Sequence, residues 1–255
     1  MSEPIRAVDR ALDILLCFTR QTPRLTMTQI AGQVGMNKST VHRLLGTLEK
    51  KRFVQRDPAT GLYQLGIRLL QMAYLTLEQN NLRQHAAPFL RHLCEQHRET
   101  ITLSVLDEAD VVFLDVIESP QRVKLAASTG QRLPAFATAA GKAILAHLPE
   151  QAVNKVLGHG MQLFTSQTIQ SLEVFFNALQ QARQMGFAIS EQEYEDGINA
   201  VAAPIMDPNG LPIAAVTVAG PAYRLPRERM SAIGPSVVAT AKEIAESYEA
   251  VSVSE

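Results

Sequence analysis

The sequence is poor in cysteine and has neither a long apolar run nor a leader-like start, and each lack excludes a class of protein. Only two cysteines occur among 255 residues, which excludes a disulfide-rich secreted scaffold. Cys17 and Cys94 lie in apolar, helix-like contexts that favour buried free thiols. No run of about 18 apolar residues predicts a membrane span. The opening residues lack an apolar core followed by a small-residue cleavage site, so no secretory signal is predicted. A cytoplasmic location is therefore expected.

Charge is nearly balanced overall but unevenly distributed along the chain. The net charge is −1, yet residues 1–66 hold ten Lys/Arg and five Asp/Glu, a balance of +5. Residues 67–255 hold fourteen and twenty, a balance of −6. The length suits one large or two modest domains. A small basic segment before a larger acidic one indicates that only the first part meets a polyanion.

The stretch from residue 25 to 53 predicts two short helices joined by a tight turn. The first helix is expected from about Thr28 to Val34, with Thr26 or Thr28 as its N-cap, because a hydroxyl satisfies an orphan amide of the first turn. Gly35 follows at a point where a chain that leaves a helix often needs a positive φ. The pattern is that of a helix-turn-helix.

The second helix of this motif carries the residues that suit DNA. Asn37 is its expected cap, and its buried stripe consists of Val41, Leu44, Leu45 and Leu48. A recognition helix presents its N-terminal residues to base edges in the major groove, while hydroxyls and cations hold phosphates. The predicted DNA contacts of the motif are Thr28, Asn37, Lys38, Ser39, Thr40, His42 and Arg43. Taken alone, this set could also be a solvated helix face.

A hairpin and a first helix complete the N-terminal domain. Two short β-prone runs flank Asp57-Pro58-Ala59-Thr60-Gly61, where Pro pre-sets φ and Gly supplies a conformation that other residues avoid. Before the motif, an amphipathic helix is predicted to end near Thr19, with an apolar stripe of Ile5, Val8, Leu12, Leu15 and Leu16. Three helices and a hairpin make a winged helix-turn-helix. Arg52 and Arg56 lie where the wing reaches phosphates or a minor groove.

Strand pairs alternate with helices in the rest of the chain, which predicts an α+β domain with a mostly antiparallel sheet. A helix over residues 67–80 is expected to link the domains. Further helices are predicted over residues 82–97, 138–148, 169–185 and 227–248. Strands are predicted on both sides of an Asp107–Asp110 turn, at Val123–Ala126, at 198–205 and at 212–218.

Several separated blocks of sequence, in the same order, resemble the IclR-type bacterial transcriptional regulators. They are Arg6–Leu15 (RAVDRALDIL), Lys38–Leu45 (KSTVHRLL), Tyr63–Gly66, Ala137–Leu145 (ATAAGKAIL), Gly197, Ala200–Ile205 (AVAAPI) and Gly220–Pro221. The resemblance covers nearly the whole chain. It implies a winged helix-turn-helix domain at 1–66, a linker helix at 67–81 and a GAF-like α/β effector-binding domain at 82–250. It also implies a homodimer, or a dimer of dimers, on palindromic double-stranded operator DNA.

The resemblance further implies an effector pocket lined by three pieces of the second domain. The first is a helix start, whose free amides suit a carboxylate. The second is the segment from Ser190 to Ala200, in which Glu193 is expected to face inward. The third is a strand whose inward residues include Thr217. The implied effector-binding residues are Leu125, Ala139, Ala140, Gly141, Ser190, Glu193, Asn199, Ala200, Thr217 and Ala219.

The chain departs from the family pattern at places that bear on the effector. Members that bind small oxoacids carry an acid near Ser190 and a cysteine near Ala200, and this chain has neither. Only Thr217 remains of two hydroxyl residues on the third piece. The alanines of the set predict a roomier and more apolar pocket, which favours a larger organic acid, aromatic or sugar-derived, over a small oxoacid.

Three other patterns have alternative interpretations. His85, His92, Cys94 and His97 crowd one helix, but His85 and His92 lie about 10.5 Å apart along an ideal helix, too far for one tetrahedral ion. Glu191, Glu193, Glu195 and Asp196 are expected to form a solvated acidic loop beside the pocket. Gly141-Lys142-Ala143 lacks the preceding glycine of a phosphate loop, so Lys142 is expected to bond nearby carbonyls or to lie at the surface.

The leading hypothesis is a DNA-binding regulator that a small organic acid controls. An enzyme with a DNA-binding appendage is a second hypothesis, but no set of nucleophile, base and electrophile converges in the sequence. An architectural DNA binder without a ligand is the third. No catalytic residue, cofactor or metal is predicted.

Overall fold

The protein divides into two compact units, Met1–Gln79 and Asn80–Glu255. The structure is a computed structural model that describes residues 5–19, 21–78, 81–158 and 160–252. Within those ranges, every helix is too short or too polar to cross a membrane.

The first unit consists of helices with one hairpin. Its elements are α1 (Arg6–Leu16), α2 (Met27–Gln33), α3 (Lys38–Lys50), β1 (Val54–Arg56), β2 (Tyr63–Leu65) and α4 (Ile67–Glu78). The fully buried side chains of its core come from three helices and the preceding loop, and the largest are Ile14, Leu25, Ile30 and Leu45. The helix-turn-helix and the wing are as expected, although α1 ends at Leu16 rather than near Thr19.

A capping box fixes the start of α2. The backbone amide of Gln29 donates to Thr26 Oγ1 at 3.2 Å, and Gln29 Oε1 accepts from the amide of Thr26 at 2.8 Å. This reciprocal pair satisfies two orphan donors at once, so Thr26 rather than Thr28 is the cap. Gly35 has a φ of 62°, which confirms the expected left-handed residue in the turn before α3.

The wing is closed by its own turn chemistry. Asp57 Oδ1 accepts from the amides of Ala59 at 2.8 Å and Thr60 at 3.3 Å, and Gly61 has a φ of 71°. After the hairpin, a Cβ at Gly66 would lie 2.2 Å from the carbonyl oxygen of Arg52. The glycine therefore allows the chain to pass the end of α3 in close contact.

The apolar stripe predicted for α1 is largely exposed, whereas a different residue of the helix is buried. Ile5 is 73% exposed, Val8 55% and Leu16 77%, while Ile14 is fully buried. On α4, Ile67, Leu70, Met72 and Leu75 are also exposed. The linker helix predicted to Asn80 is described to Glu78, and Asn80 and the side chain of Leu77 lie outside the described residues. Helical periodicity identified these helices but not the face that packs.

The second unit is a six-stranded antiparallel sheet with helices on both faces, in the strand order β5-β4-β3-β8-β7-β6. Its strands are β3 (Thr100–Asp107), β4 (Asp110–Ile117), β5 (Arg132–Pro134), β6 (Ala188–Glu191), β7 (Ile198–Met206) and β8 (Pro212–Pro221). Its helices are α5 (Asn81–His97), α6 (Ala139–Leu145), α7 (Glu150–Leu157), α8 (Leu172–Met185) and α9 (Arg227–Ser252). The expected α+β class is confirmed.

Alternation along the strands separates two cores. One face, with Ile101 and Leu103 of β3, packs against α5 and α9. The opposite face packs against α6, α7 and α8. On β3 that second face carries the buried polar residues Thr100, Thr102 and Ser104. Three buried hydroxyls on the α6 side of the sheet mark it as the face where polar chemistry occurs.

Several predicted elements of this unit require correction. Val123–Ala126 is not a strand; the short strand that pairs with β4 is β5. The helix predicted to residue 148 ends at Leu145, the one predicted from residue 169 starts at Leu172, and the last one extends past residue 248. Helix α7 and strand β6 were not predicted, because each is a short element enclosed between turns.

Candidate nucleic-acid interface and ligand pocket

The start of α3 presents a row of polar side chains, most of them exposed. Lys38, Ser39, His42 and Arg43 are exposed, and Thr40 is half-buried. Val41 and Leu45, on the opposite side of the helix, are fully buried. The buried side therefore anchors α3, and the exposed side remains available for an external partner.

Two of the predicted contact residues are used in capping α3. Asn37 Oδ1 accepts from the amide of Thr40 at 2.9 Å and from Ser39 Oγ at 2.9 Å. This bond satisfies one of the orphan amides at the helix start and fixes where α3 begins. On α2, Thr28 is exposed, and no hydrogen bond of its hydroxyl to another described residue is found.

The two arginines predicted at the wing differ in their freedom. Arg56 Nε donates to the carbonyl oxygen of Gly61 at 3.3 Å, and its guanidinium carbon lies 5.7 Å from the centre of the Tyr63 ring. Arg52 is exposed at the end of α3, in a left-handed conformation with a φ of 63°. The wing thus holds one guanidinium in place and leaves the other free.

The cations of the first unit are not neutralised internally. Among the described residues, every ion pair lies in the second unit. Lys38, Arg43 and Arg52 are exposed and lack a carboxylate partner in the described part of the chain. Clustered, unpaired cations on a small domain are the electrostatic feature of a nucleic-acid binder.

A partly enclosed pocket lies on the α6 side of the sheet in the second unit. Its volume is about 80 Å³. The residues expected from the sequence that line it are Leu125, Ala139, Ala140, Ser190, Ala200, Thr217 and Ala219. Further walls come from Thr102, Val111, Phe113, Gln131, Leu133, Tyr194 and Glu195. Strands β3, β4 and β5 supply Thr102, Val111, Phe113 and Leu133, which local pattern did not predict. Tyr194 and Glu195 belong to the segment from Ser190 to Ala200 that the resemblance implied.

Three residues expected in the pocket are placed elsewhere. A Cβ at Gly141 would lie 2.0 Å from the carbonyl oxygen of Ala135, so this glycine serves the close packing of α6. Asn199 Nδ2 donates to the carbonyl oxygen of Leu225 at 3.0 Å, which uses the amide as a bridge to the segment before α9. Glu193 does face inward, but towards Lys142 and away from this pocket.

The polar groups of the pocket are hydroxyls, an amide and one carboxylate at the edge. Thr217 is 5% exposed, and its Oγ1 has no hydrogen-bond partner among the residues that the structure describes. Thr102 lies directly opposite it in the β3–β8 register. Ser190 Oγ donates to the carbonyl oxygen of Ala137 at 3.3 Å. Glu195 is exposed, and the lining residues include no lysine, arginine or histidine. Thr217 is therefore the buried group that most needs a ligand partner.

The pocket is apolar, as expected, but it is not roomy. Its volume of about 80 Å³ is roughly half that of an engineered cavity of ~150 Å³ that binds benzene. Phe113 and Leu133 occupy space that was expected to be empty when the pocket was predicted from its alanines alone. One wall consists of Leu125 and its neighbours, which belong to a segment without regular secondary structure. A ligand with a ring therefore requires movement of that wall.

Lys142 is buried, which corrects the expectation that it bonds carbonyls or lies at the surface. Its Nζ forms an ion pair with Glu193 Oε1, and the two side chains are 3% and 7% exposed. Burial lowers the pKa of Lys142, and the charge of Glu193 opposes that shift. Thr168 Oγ1 donates to the carbonyl oxygen of Glu193 at 2.7 Å, so the acidic segment is braced rather than fully solvated.

The cysteine and histidine residues of α5 have separate partners. Cys94 is buried and its Sγ donates to the carbonyl oxygen of Glu99 at 3.3 Å, while Cys17 is only half-buried. His92 Nε2 lies 2.9 Å from Gln96 Nε2, and His97 Nε2 lies 3.0 Å from Ser236 Oγ. No group of three potential metal ligands is found among the residues that the structure describes.

Comparison with known proteins gives matches over both units. The model of the IclR helix-turn-helix domain matches residues 7–58, and that of the bacterial transcriptional regulator IclR C-terminal domain matches residues 74–246. The chain is 31% identical over 247 residues to the transcriptional repressor IclR of Escherichia coli, covering 96% of this chain and 90% of the relative. It is 34% identical over 215 residues to the regulator XynR of the same organism, covering 84% and 85%.

A solved structure has the same fold with a ligand bound. It is an IclR homolog from Microbacterium hydrocarbonoxydans complexed with 4-hydroxybenzoate, with a TM-score of 0.83 and 25% identity. The match covers 96% of this chain and 99% of the homolog. These curated relatives are transcriptional regulators rather than enzymes.

Proposed function

The chain belongs to the IclR family of bacterial transcriptional regulators, and from this premise we propose which of its surfaces bind the operator and the effector. The exposed start of α3 enters the major groove of double-stranded operator DNA, and the wing holds the adjacent backbone. A small organic acid binds in the pocket of the second unit and alters DNA binding. The observation that carries the first part is the set of unpaired cations on α3.

The proposed DNA contacts have different roles. Arg43 and His42 read bases, because they project from the first turns of α3 on its exposed side. Lys38 and Thr28 hold phosphates, together with Arg52 and Arg56 of the wing. Asn37 and Ser39 set the start of the helix through their shared hydrogen bond, and only the amide nitrogen of Asn37 is left to reach DNA. Thr40 lies beside them at the edge of the interface.

The proposed effector is a carboxylate with an apolar body. Its polar end is stabilised by the unpartnered hydroxyl of Thr217, with Thr102 opposite and Ser190 nearby. The exposed carboxylate of Glu195 disfavours an anion at that edge. Apolar walls favour an aliphatic or aromatic body, admitted by movement of the wall that contains Leu125. The homolog complexed with 4-hydroxybenzoate supports an aromatic acid as the first candidate.

A homodimer, or a dimer of dimers, completes the proposed assembly. The exposed apolar faces of α1 and α4 support it, because a contiguous apolar face on a helix marks an interaction site. A second copy covers these faces and brings two winged helices to the two halves of a palindromic operator. The substitution Val8→Glu together with Leu12→Glu is expected to weaken self-association, measured by sedimentation equilibrium. A DNA target places this assembly in the cytoplasm.

The linker helix α4 transmits the effect of the acid in this proposal. An effector changes operator affinity only when it binds the DNA-competent and incompetent arrangements with different affinity. The typical coupling between two such sites is about 1–3 kcal/mol.

A thermal-shift screen tests the effector assignment. The full-length protein is heated with benzoate, 4-hydroxybenzoate, glyoxylate and pyruvate, since a ligand that binds only the folded state raises the melting temperature. The benzoates are expected to raise it more than the oxoacids do. Tight binding of glyoxylate or pyruvate, with no response to larger acids, would overturn the assignment to a larger acid.

A further inference from the structure

A second cleft lies on the other side of α6 from the pocket and shares no lining residue with it. It is bounded by α6, α8, β6 and the start of α9, and its volume is about 240 Å³. That volume exceeds the ~150 Å³ of a cavity that holds benzene. The cleft is therefore large enough for a compact organic molecule.

The floor of the cleft carries a buried acceptor that lacks a partner. Glu193 Oε1 binds Lys142 Nζ, but Glu193 Oε2 is buried and makes no hydrogen bond within the described part of the chain. A carboxylate oxygen that folding leaves unsatisfied is costly, so a donor from a ligand fits this position. Lys142 also keeps ammonium hydrogens beyond the one that Glu193 uses, because an ammonium has three.

Charge in the cleft is balanced rather than of one sign. Lys142 and Glu193 form the ion pair at the floor, and Arg227 and Glu191 form a second ion pair at the edge. A ligand with a single charge is attracted by one member of each ion pair and repelled by the other. A ligand with both charges matches an anion and a cation together.

The cleft and the pocket are lined by alternating residues of the same segments. Ser190 and Tyr194 line the pocket, whereas Glu191 and Glu193 line the cleft. On α6, Ala140 lines the pocket and Lys142 the cleft. The cleft and the pocket are therefore separate cavities on neighbouring side chains of the same segments.

We propose that this cleft is a second ligand site, for a compact zwitterion of the amino-acid class, whose ammonium group donates to Glu193 Oε2 and whose carboxylate faces Lys142 or Arg227. This site is separate from the pocket proposed for the organic acid.

Titration calorimetry of the full-length protein tests the proposal with glycine, β-alanine and γ-aminobutyrate as probes. Acetate and ethylammonium serve as controls, because each carries only one of the two charges. At least one zwitterion is expected to bind saturably, and about tenfold more tightly than either control, or about 1.4 kcal/mol. Absence of saturable binding by all three zwitterions, or equally tight binding of a control, overturns the proposal.

Variants of one helix locate the binding. Gln181 lines the cleft, whereas its neighbour Gln180 is exposed and does not. Gln181→Phe is expected to weaken zwitterion binding about tenfold or more, and Gln180→Phe is expected to leave it unchanged. Equal effects of the two substitutions contradict the location.

A charge variant and a pocket variant test the chemistry and the separation of the sites. Glu193→Gln keeps the size of the side chain and removes the charge, so zwitterion binding is expected to fall. Because this change leaves Lys142 unpaired, the folded state is checked by circular dichroism. If Glu193→Gln fails to fold, the effect of Gln181→Phe on zwitterion binding is the test of the proposal. Thr217→Val is expected to leave zwitterion binding unchanged. If Thr217→Val abolishes it, the two ligands share one site and the proposal fails.

Discussion

The two units of this protein treat their charged side chains in opposite ways. In the second unit, acidic and basic groups satisfy one another, as where Arg224 donates to both oxygens of the buried Glu99 at 2.7 and 2.6 Å. In the first unit, no ion pair is found among the described residues, and the cations near the start of α3 face solvent. Paired charges stabilise the unit that holds them, whereas unpaired charges of one sign are available to a partner of the opposite sign.

This difference explains why the overall charge of −1 conceals a DNA-binding protein. The acidic balance of the second unit lowers non-specific attraction to DNA, and the basic balance of the first directs the phosphate contacts to one surface. Substitution of paired and of unpaired charges tests this difference between the units. Loss of a paired charge is expected to give the larger change in free energy.

Loss of Glu99 is expected to give the largest effect, and it acts on stability. Glu99 is 1% exposed and binds Arg224 and also Arg229 Nη1 at 3.3 Å. Glu99→Ala leaves both guanidinium groups without their carboxylate. Because these groups are partly exposed, we expect a loss of about 2–4 kcal/mol, somewhat less than for a fully buried pair. Urea unfolding followed by circular dichroism measures it.

Glu243→Ala is the matched control for this experiment, because Glu243 is exposed on α9 and forms no ion pair among the described residues. Its effect is expected to be within about 0.5 kcal/mol of zero. A Glu99→Ala protein as stable as the control would contradict the stabilising role of the paired charges.

Loss of Arg43 is expected to have the next largest effect, and it acts on DNA binding without a change in stability. Arg43→Ala removes the exposed side chain that we propose contacts a base, and the expected loss of operator affinity is about 1–3 kcal/mol. A gel-shift assay at moderate salt measures this loss. Arg91→Ala, which removes an exposed arginine of α5, is expected to bind like the wild type. Near-wild-type affinity of Arg43→Ala would exclude this residue from the interface.

A smaller effect is expected at Thr217. Thr217→Val preserves shape and removes a buried hydroxyl that has no partner among the described residues, so stability is expected to be unchanged or slightly higher. Affinity for the acid is expected to fall by about 0.5–1.5 kcal/mol, measured by titration calorimetry. Thr240→Val, a buried threonine of α9 outside the pocket, controls for the loss of a hydroxyl. An acid that binds both variants equally would place the ligand elsewhere.

The smallest expected effect is a pH dependence of stability from His97. Burial, with a contribution from Arg229, lowers the pKa of His97 below its ordinary value of 6.5. The folded state then binds fewer protons than the unfolded state between that lowered pKa and 6.5, so stability falls as pH decreases through this window. His97→Gln is expected to flatten this decrease in urea unfolding, whereas the exposed His92→Gln is not. An unchanged slope in His97→Gln would contradict the assignment.

The sequence was sufficient where the signal is local. The cap at Asn37, the left-handed Gly35 and the turn around Asp57 depend on neighbours within a few residues, and all three were predicted correctly. The strand predicted at Val123–Ala126 was wrong: the residues alternate in polarity, but β4 pairs with β5 instead of with this segment. Instead Arg224 Nη2 donates to the carbonyl oxygen of Val123 at 3.0 Å.

Long-range pairing accounts for most of what the sequence did not predict. Lys142 and Glu193 are 51 residues apart, so nothing local reveals that the lysine is buried or that the acid turns away from the pocket. The same holds for Phe113 and Leu133. They lie on strands that only the folded sheet brings together, and their side chains reduce the volume of the pocket. For α1, periodicity identified an apolar face, but only packing shows that much of this face is left exposed.

Operator binding with and without the effector tests the central claim most directly. DNA duplexes selected by the full-length protein from a random pool are titrated at fixed salt, followed by fluorescence anisotropy, with and without the acid that raises the melting temperature. The acid is expected to change operator affinity by about 5–150-fold, which corresponds to 1–3 kcal/mol of coupling. Thr217→Val is expected to need more acid for the same change. An acid that saturates the pocket and leaves operator affinity unchanged would contradict the account.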